Sequence, residues 1–134
     1  MNGFNGLLLE ESFKEDKLEE ALKLITIKNK EVWDVSNAVD WQPKKWTAVT
    51  FVGESDRVDI VTVKLSKLIK PKWYLNISDE KYSYVVFHEK VFKYLKGDNE
   101  RLKEAQQYAL DIGVPRSQIG WEKGGLQNQK NINN

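Results

Sequence analysis

The chain has no cysteine and a single histidine, His88, among its 134 residues. The missing cysteine excludes disulfides, thiolate metal ligands and thiol nucleophiles together. With one histidine, any cation site would have to be built from carboxylates. No apolar run approaches the roughly 18 residues of a membrane span. Net charge is almost absent too: 21 basic residues face 20 acidic ones, for a formal +1. No overall field therefore selects nucleic acid or an acidic ligand. Glycines 3, 6, 53, 97 and 113 stand singly and Gly124-Gly125 lies near the end, so no glycine-rich loop cradles a phosphate. Neither a G-x-S-x-G elbow nor a D-x-D-x-D-G calcium loop occurs.

What is present is ordinary globular material, 40% hydrophobic and 31% charged, at a single-domain length. The charge is uneven along the chain. Residues 1–20 hold six acids and two lysines, whereas residues 64–96 hold eight lysines and three acids. Such segregation marks solvated faces, a basic working surface, or complementary surfaces that favour self-association. The opening MNGFNGLLLEESF has no basic segment, and its apolar run, Leu7–Leu9, is short. No signal peptide is expected, and the expected compartment is the cytoplasm.

Ser12-Phe13-Lys14-Glu15 has the form of a capping box. Leu18, Ala21, Leu22 and Ile25 follow at helical spacing, which predicts a helix over about 13–25, with Leu7–Leu9 a possible strand before it. A half-exposed strand is expected over 27–35. The β-rich Trp46–Gly53, apolar on both sides, is expected near the centre of a sheet. Ser55 or Asp56 should cap a second helix carrying Val58, Val61, Leu65, Leu68 and Ile69 inward, ended by Pro71. Lys72–Ser78, Tyr82–Phe87 and Val91–Lys96 read as an antiparallel meander. A third helix starts at Gly97-Asp98, buries Leu102, Ala105, Ala109 and Ile112, and ends on Gly113. The polar residues 123–134 are expected to be a disordered tail behind one domain spanning 1–122. These elements predict an α+β fold: a mainly antiparallel sheet with two to three helices packed largely on one face, as in a ferredoxin-like or related sandwich.

The catalytic inventory is thin. His88 sits in a predicted turn. Asp56 and Asp59 share a helix face, and Asp34 and Asp40 flank a loop, but neither pair makes a metal-binding motif. No catalytic residue, metal or cofactor is assigned. Attention falls instead on KYSYVVFHEKVFKYLKGD, Lys81–Asp98, where aromatics interleave with lysines. Tyr82–Phe87 has the outline of an RNP1 strand, with Trp46–Gly53 as the matching first strand. It departs from that pattern at Lys81 and Glu80, Trp46–Gly53 has no aromatic at its second position and offers only the late Phe51, and a further strand, Val91–Lys96, intervenes before the helix. In that alternative Tyr82 and Tyr84 stack bases of a single-stranded RNA or DNA, while Lys81, Lys90, Lys93 and Lys96 contact phosphates. The simpler expectation makes Trp73, Leu75, Ile77, Val85 and Phe87 the core face. Tyr74, Tyr82, Tyr84, Phe92 and Tyr94 then form an open aromatic face, the kind of patch that docks a protein.

The segments W-Y-x-x-I-S, Y-V-V-F-x-x-K-V-F-K-Y-x-K-G-D and Y-A-x-x-x-G-V-P-x-x-Q-x-x-W lie at 73–78, 84–98 and 108–121. They resemble a group of small bacterial α+β proteins with no assigned activity, some of the size and style of toxin-immunity proteins. The resemblance carries no catalytic motif and implies no functional residues. The expected function is thus a non-enzymatic interaction protein that docks a protein partner or a second copy of itself. Single-strand nucleic-acid binding is the alternative. A carboxylate-dependent enzyme is the third, and it requires a cleft lined by two or more acids.

Overall fold

The computed structural model describes residues 3–35 and 38–119. The first strand, β1 (Gly3–Leu9), is hydrogen-bonded along both edges and ties the sheet together. A segment with two glycines is a poor strand former on propensity alone. The reason it works here is close packing. A Cβ at Gly6 would come within 2.6 Å of the Asn76 carbonyl oxygen and of the Phe51 ring, so the bare backbone lets neighbouring strands and their side chains close over it.

After β1 come α1 (Glu15–Leu22), β2 (Thr26–Asp34), β3 (Lys45–Glu54), α2 (Val58–Leu68), β4 (Tyr74–Ser78), β5 (Tyr82–Phe87), β6 (Lys90–Leu95) and α3 (Asn99–Asp111). The six strands form one antiparallel sheet in the order β2-β3-β1-β4-β5-β6. The chain is α+β, and the N-terminal βα unit belongs to the main sheet. β3 is an interior strand, although it lies one place in from the β2 edge rather than at the centre. Among the described residues, no helix is long and apolar enough to cross a membrane.

Register assigns the side chains to faces. Leu75 pairs with Val86 and Ile77 with Tyr84, so these four point the same way. Phe4, Leu8, Val49 and Phe51 share that face. It is covered by α2, which contacts β5 and β6, and by α1, which packs against α2. Tyr74 pairs with Phe87, and Val85 with Phe92, on the opposite face. There α3 packs on β5 and β6: the Tyr108 ring meets Phe87 at 4.9 Å and Phe92 at 5.5 Å. Two helices therefore cover one face and the third covers the other, which corrects the expectation of helices largely on one face. The expected grouping of Val85 and Phe87 with Leu75 and Ile77 is also corrected, because antiparallel pairing puts Tyr84 and Val86 beside those residues instead.

Local signals met mixed outcomes. The capping box does not form. Ser12 is buried in a 3-10 turn (Glu10–Ser12), its hydroxyl donates to the Leu9 carbonyl at 2.6 Å, and Phe13 bridges to Ile69 as extended chain. The first helix accordingly starts later and ends earlier than 13–25. The N-cap residue of α2 is Arg57, which makes no side-chain capping bond, and a 3-10 turn (Ser55–Arg57) precedes the helix. The third helix behaves as expected. The Asp98 carboxylate accepts from the Arg101 N–H at 3.1 Å, and Gly113 at φ +102° lets Gly113 N–H reach the Leu110 carbonyl and Val114 N–H reach that of Ala109. A 3-10 turn (Arg116–Gln118) then folds back onto the sheet: the Tyr74 hydroxyl donates to the Gln118 carbonyl, and the buried Gln118 and Gln42 amides bond each other twice, at 2.9 and 3.0 Å. Trp121 and the expected tail lie outside the described residues.

Candidate interaction site at the α2–β6 corner

The five aromatics expected to form one open face do not share a face. Tyr74, Phe92 and Tyr94 lie on the α3 side, and Tyr82 and Tyr84 on the α2 side. Tyr74, Tyr84 and Phe92 are buried, and Tyr82 and Tyr94 are half-buried. Their aromatic surface is spent on the core: Tyr74 packs on Phe87, and Phe92 on Phe87 and Tyr108. The tyrosine-rich strands are thus interior to a three-layer structure.

The nucleic-acid arrangement fails for related reasons. Trp46–Gly53, expected as the first strand of such a domain, is the third strand, and Tyr82–Phe87 is the fifth. Tyr84 is 2% exposed beneath α2. The rings that would stack bases already carry cations. The Lys93 ammonium lies 4.5 Å from the Tyr82 ring centroid and 5.6 Å from that of Tyr84, and the Lys81 ammonium is 5.8 Å from Tyr82. Lys93 is held there by Asp59 of α2 at 3.2 Å. That hydrogen bond pushes the Lys93 ammonium above its ordinary value, and burial followed by the Asp59 charge pushes the Tyr84 phenol up. Of the remaining expected phosphate contacts, Lys90 is exposed but sits over the Phe92 ring at 5.2 Å, and Lys96 is exposed at the end of β6.

What α2 leaves outward is more informative. Ile60 is 54% exposed and Val63 49%. They stand one helical turn apart and so share one side of the helix. Beside Val63, a groove of about 540 Å³ runs between the end of α2 and the β5–β6 turn. It is lined by Val63, Ser66, Lys67, His88, Lys90 and Val91, with Glu89 the one acid. The turn is fixed from below. The Glu89 N–H donates to the Ser66 carbonyl at 2.8 Å, and Glu89 itself adopts φ +58°. His88 Nδ1 lies 2.7 Å from the Ile69 carbonyl, so that nitrogen is the donor and Nε2 turns toward Glu89, 3.9 Å away. The lone histidine therefore orients a turn. Lys64, Lys67, Lys90 and Lys93 are exposed around this apolar strip.

A sequence signal for this surface existed. The helix segment VDIVTVKLSKL holds more β-branched apolar residues than one buried stripe needs. Assigning Val58, Val61 and Leu65 inward leaves Ile60 and Val63 over, on the solvent side.

Chemistry of other kinds finds little footing among the described residues. No group of three or more His, Asp or Glu side chains is placed to hold a metal. A second cleft, about 500 Å³, is lined by Phe4, Leu24, Ile25, Val61, Lys23 and Arg57 among others, with Glu54 its one acid. Neither cleft has the pair of carboxylates that the hydrolytic alternative requires. Comparison with family models, with curated proteins and with solved structures gives no match to this chain.

Proposed function

We propose that this chain is a non-enzymatic interaction protein. Its docking surface is the α2–β6 corner rather than the tyrosine-bearing strands. The observation that carries the proposal is the pair Ile60 and Val63, half-exposed on one side of α2, with Val63 lining a formed groove. Isolated surface aliphatics are commonplace, but aliphatics aligned beside a groove and rimmed by lysines have the anatomy of an interface, an apolar centre with a charged rim. The charge selects the partner. Lys64, Lys67, Lys90 and Lys93 outnumber Asp59 and Glu89 here, so the surface fits a protein segment with apolar and acidic side chains.

The scaffold is in keeping with this role. We read the first six elements, β-α-β-β-α-β with strand order β2-β3-β1-β4, as a ferredoxin-like core extended by β5, β6 and α3. The extension supplies both the lid over the far face and the β6 side of the groove.

The test is site-directed photo-crosslinking in cells. A crosslinking residue at position 63 should capture a discrete protein, and the same residue at position 104, exposed on α3, should not. Capture from 63 should be lost when Lys67→Glu is added. Equal crosslinking from both positions, or capture unaffected by Lys67→Glu, would overturn the assignment.

A further inference from the structure

Among the described residues, β2 is an edge strand whose outer side pairs with no other strand. Residues 26–30, Val32 and Asp34 are exposed, and Val32 is 65% exposed. Such an edge is a template for another strand unless something blocks it. A β-bulge between Ile27 and Asn29 disrupts its first part. Beyond the bulge, Lys30–Asp34 is regular and pairs with β3 from Val49 to Lys45.

Val35 N–H donates to the Lys44 carbonyl at 2.9 Å, so Val35 turns its polar groups toward β3. Groups alternate along an antiparallel strand. Lys30, Val32 and Asp34 therefore direct theirs outward, away from β3. Their side chains also share one face of the sheet.

We propose that this edge pairs with β2 of a second copy, antiparallel, about a two-fold axis through Val32. That register sets Val32 against Val32, and Lys30 of each chain against Asp34 of the other. All three outward residues then form hydrogen-bonded pairs, about six main-chain bonds at two for each pair. The charges extend existing contacts: Lys30 lies 2.7 Å from Glu10, and Asp34 lies 3.6 Å from Lys45. Across the axis they join into a row of alternating sign, Glu10, Lys30, then Asp34 and Lys45 of the second copy. Neighbouring registers are worse. An axis on Lys30 sets two ammonium groups in opposition, and one on Glu31 sets two carboxylates. The other edge, β6, offers no such match, since KVFKYL carries two lysines and no acid. The contact is short, and a weak, salt-sensitive dimer with one continuous sheet is the result.

Sedimentation equilibrium of the full chain tests this. A monomer–dimer equilibrium that loosens with added salt is expected. Lys30→Asp and Asp34→Lys should each weaken dimerisation by about tenfold or more, since each converts two attractions into two repulsions. Mixing those two variants should restore a dimer, because in the mixed pair both contacts again join opposite signs. Val32→Asp, which puts two carboxylates on the axis, should leave the chain monomeric with an unchanged thermal melt. Lys67→Glu at the α2–β6 groove should leave the dimer intact, separating this interface from the other. A chain that stays monomeric up to roughly 1 mM, where even the weakest specific pairing is populated, would overturn the proposal. So would dimers indifferent to both charge reversals, or a mixture no stronger than its components.

Discussion

The burial of Tyr84 is the point on which the two-faced architecture is most directly open to test. If α2 covers this ring, then Tyr84→Ala removes a core side chain and leaves a cavity beneath the helix. A buried aromatic withdraws about 150–250 Å² from water, worth about 4–6 kcal/mol as an upper bound at 25 cal/mol per Å². Measured truncations of core aromatics fall at about 3–5 kcal/mol. Tyr84 is 2% exposed, with Ile77 beside it on β4 and the Asp59–Lys93 ion pair above it, so little relaxation is available and about 4 kcal/mol is expected. Tyr82, two residues earlier on the same face but half-buried, should cost less than about 1 kcal/mol on truncation. Urea unfolding followed by tryptophan fluorescence measures both, with an unchanged m-value showing that stability alone has moved. For a chain of this length the Tyr84→Ala deficit corresponds to a melting-point drop of about 10–15 °C. A stacking platform open to solvent would give another pattern, with both truncations near-neutral for stability. A Tyr84→Ala deficit under about 1 kcal/mol would refute the assignment of α2 to this face.

Two further outcomes follow from single groups. Asp98→Ala removes the carboxylate that accepts from the Arg101 N–H at the start of α3 and should cost about 1 kcal/mol, read as a lower urea midpoint; no change would mean that the cap does not hold the helix. At alkaline pH the Tyr84 phenol, raised by burial and by Asp59, and the Lys93 ammonium, raised by its hydrogen bond to Asp59, both hold their protons more firmly in the folded chain than in the unfolded one. Their contribution is fully present below about pH 10 and is lost as pH rises beyond it. The urea midpoint should therefore fall above that pH, and less steeply in Tyr84→Phe. Parallel profiles for the two proteins would remove Tyr84 from the account.

Much of the architecture was legible because its signals are local. The meander of 72–96 follows from alternation and turn residues, and α3 follows from Asp98, its apolar stripe and Gly113. β1 was legible only at Leu7–Leu9, since Gly3–Gly6 succeeds through close contact with Phe51 and Asn76, which are distant in sequence. Ser12 misled for the same reason. A capping box is a local preference, and here the bridge from Phe13 to Ile69 keeps the chain extended and commits Ser12 to the Leu9 carbonyl instead. The tyrosines misled through register. Alternation within β4 and within β5 was evident, but which face of one joins which face of the other depends on the turn, which sets Ser78 opposite Ser83, and a slip of a single residue exchanges every partner. Once Ile77 is paired with Tyr84, the supposed outer face divides between two cores.

That division also decides where recognition can occur. With α1 and α2 on one side of the sheet and α3 over β5 and β6 on the other, the described tyrosine-bearing strands present no open face. What remains are the sheet's edges and the backs of its helices. The edges differ in charge. β2 carries lysine and aspartate spaced so that two copies complement one another, whereas β6 carries lysines alone and repels its own kind. A lysine-only edge is a common defence against unwanted strand pairing. One of these lysines, Lys90, joins Lys67 of α2 beside Val63 and Val91 to give the α2–β6 groove its positive border. One set of charges can therefore do two things: it keeps β6 from self-association and favours a partner of opposite sign beside it. Self-assembly is left to the far end of the sheet, where β2 has both signs to offer.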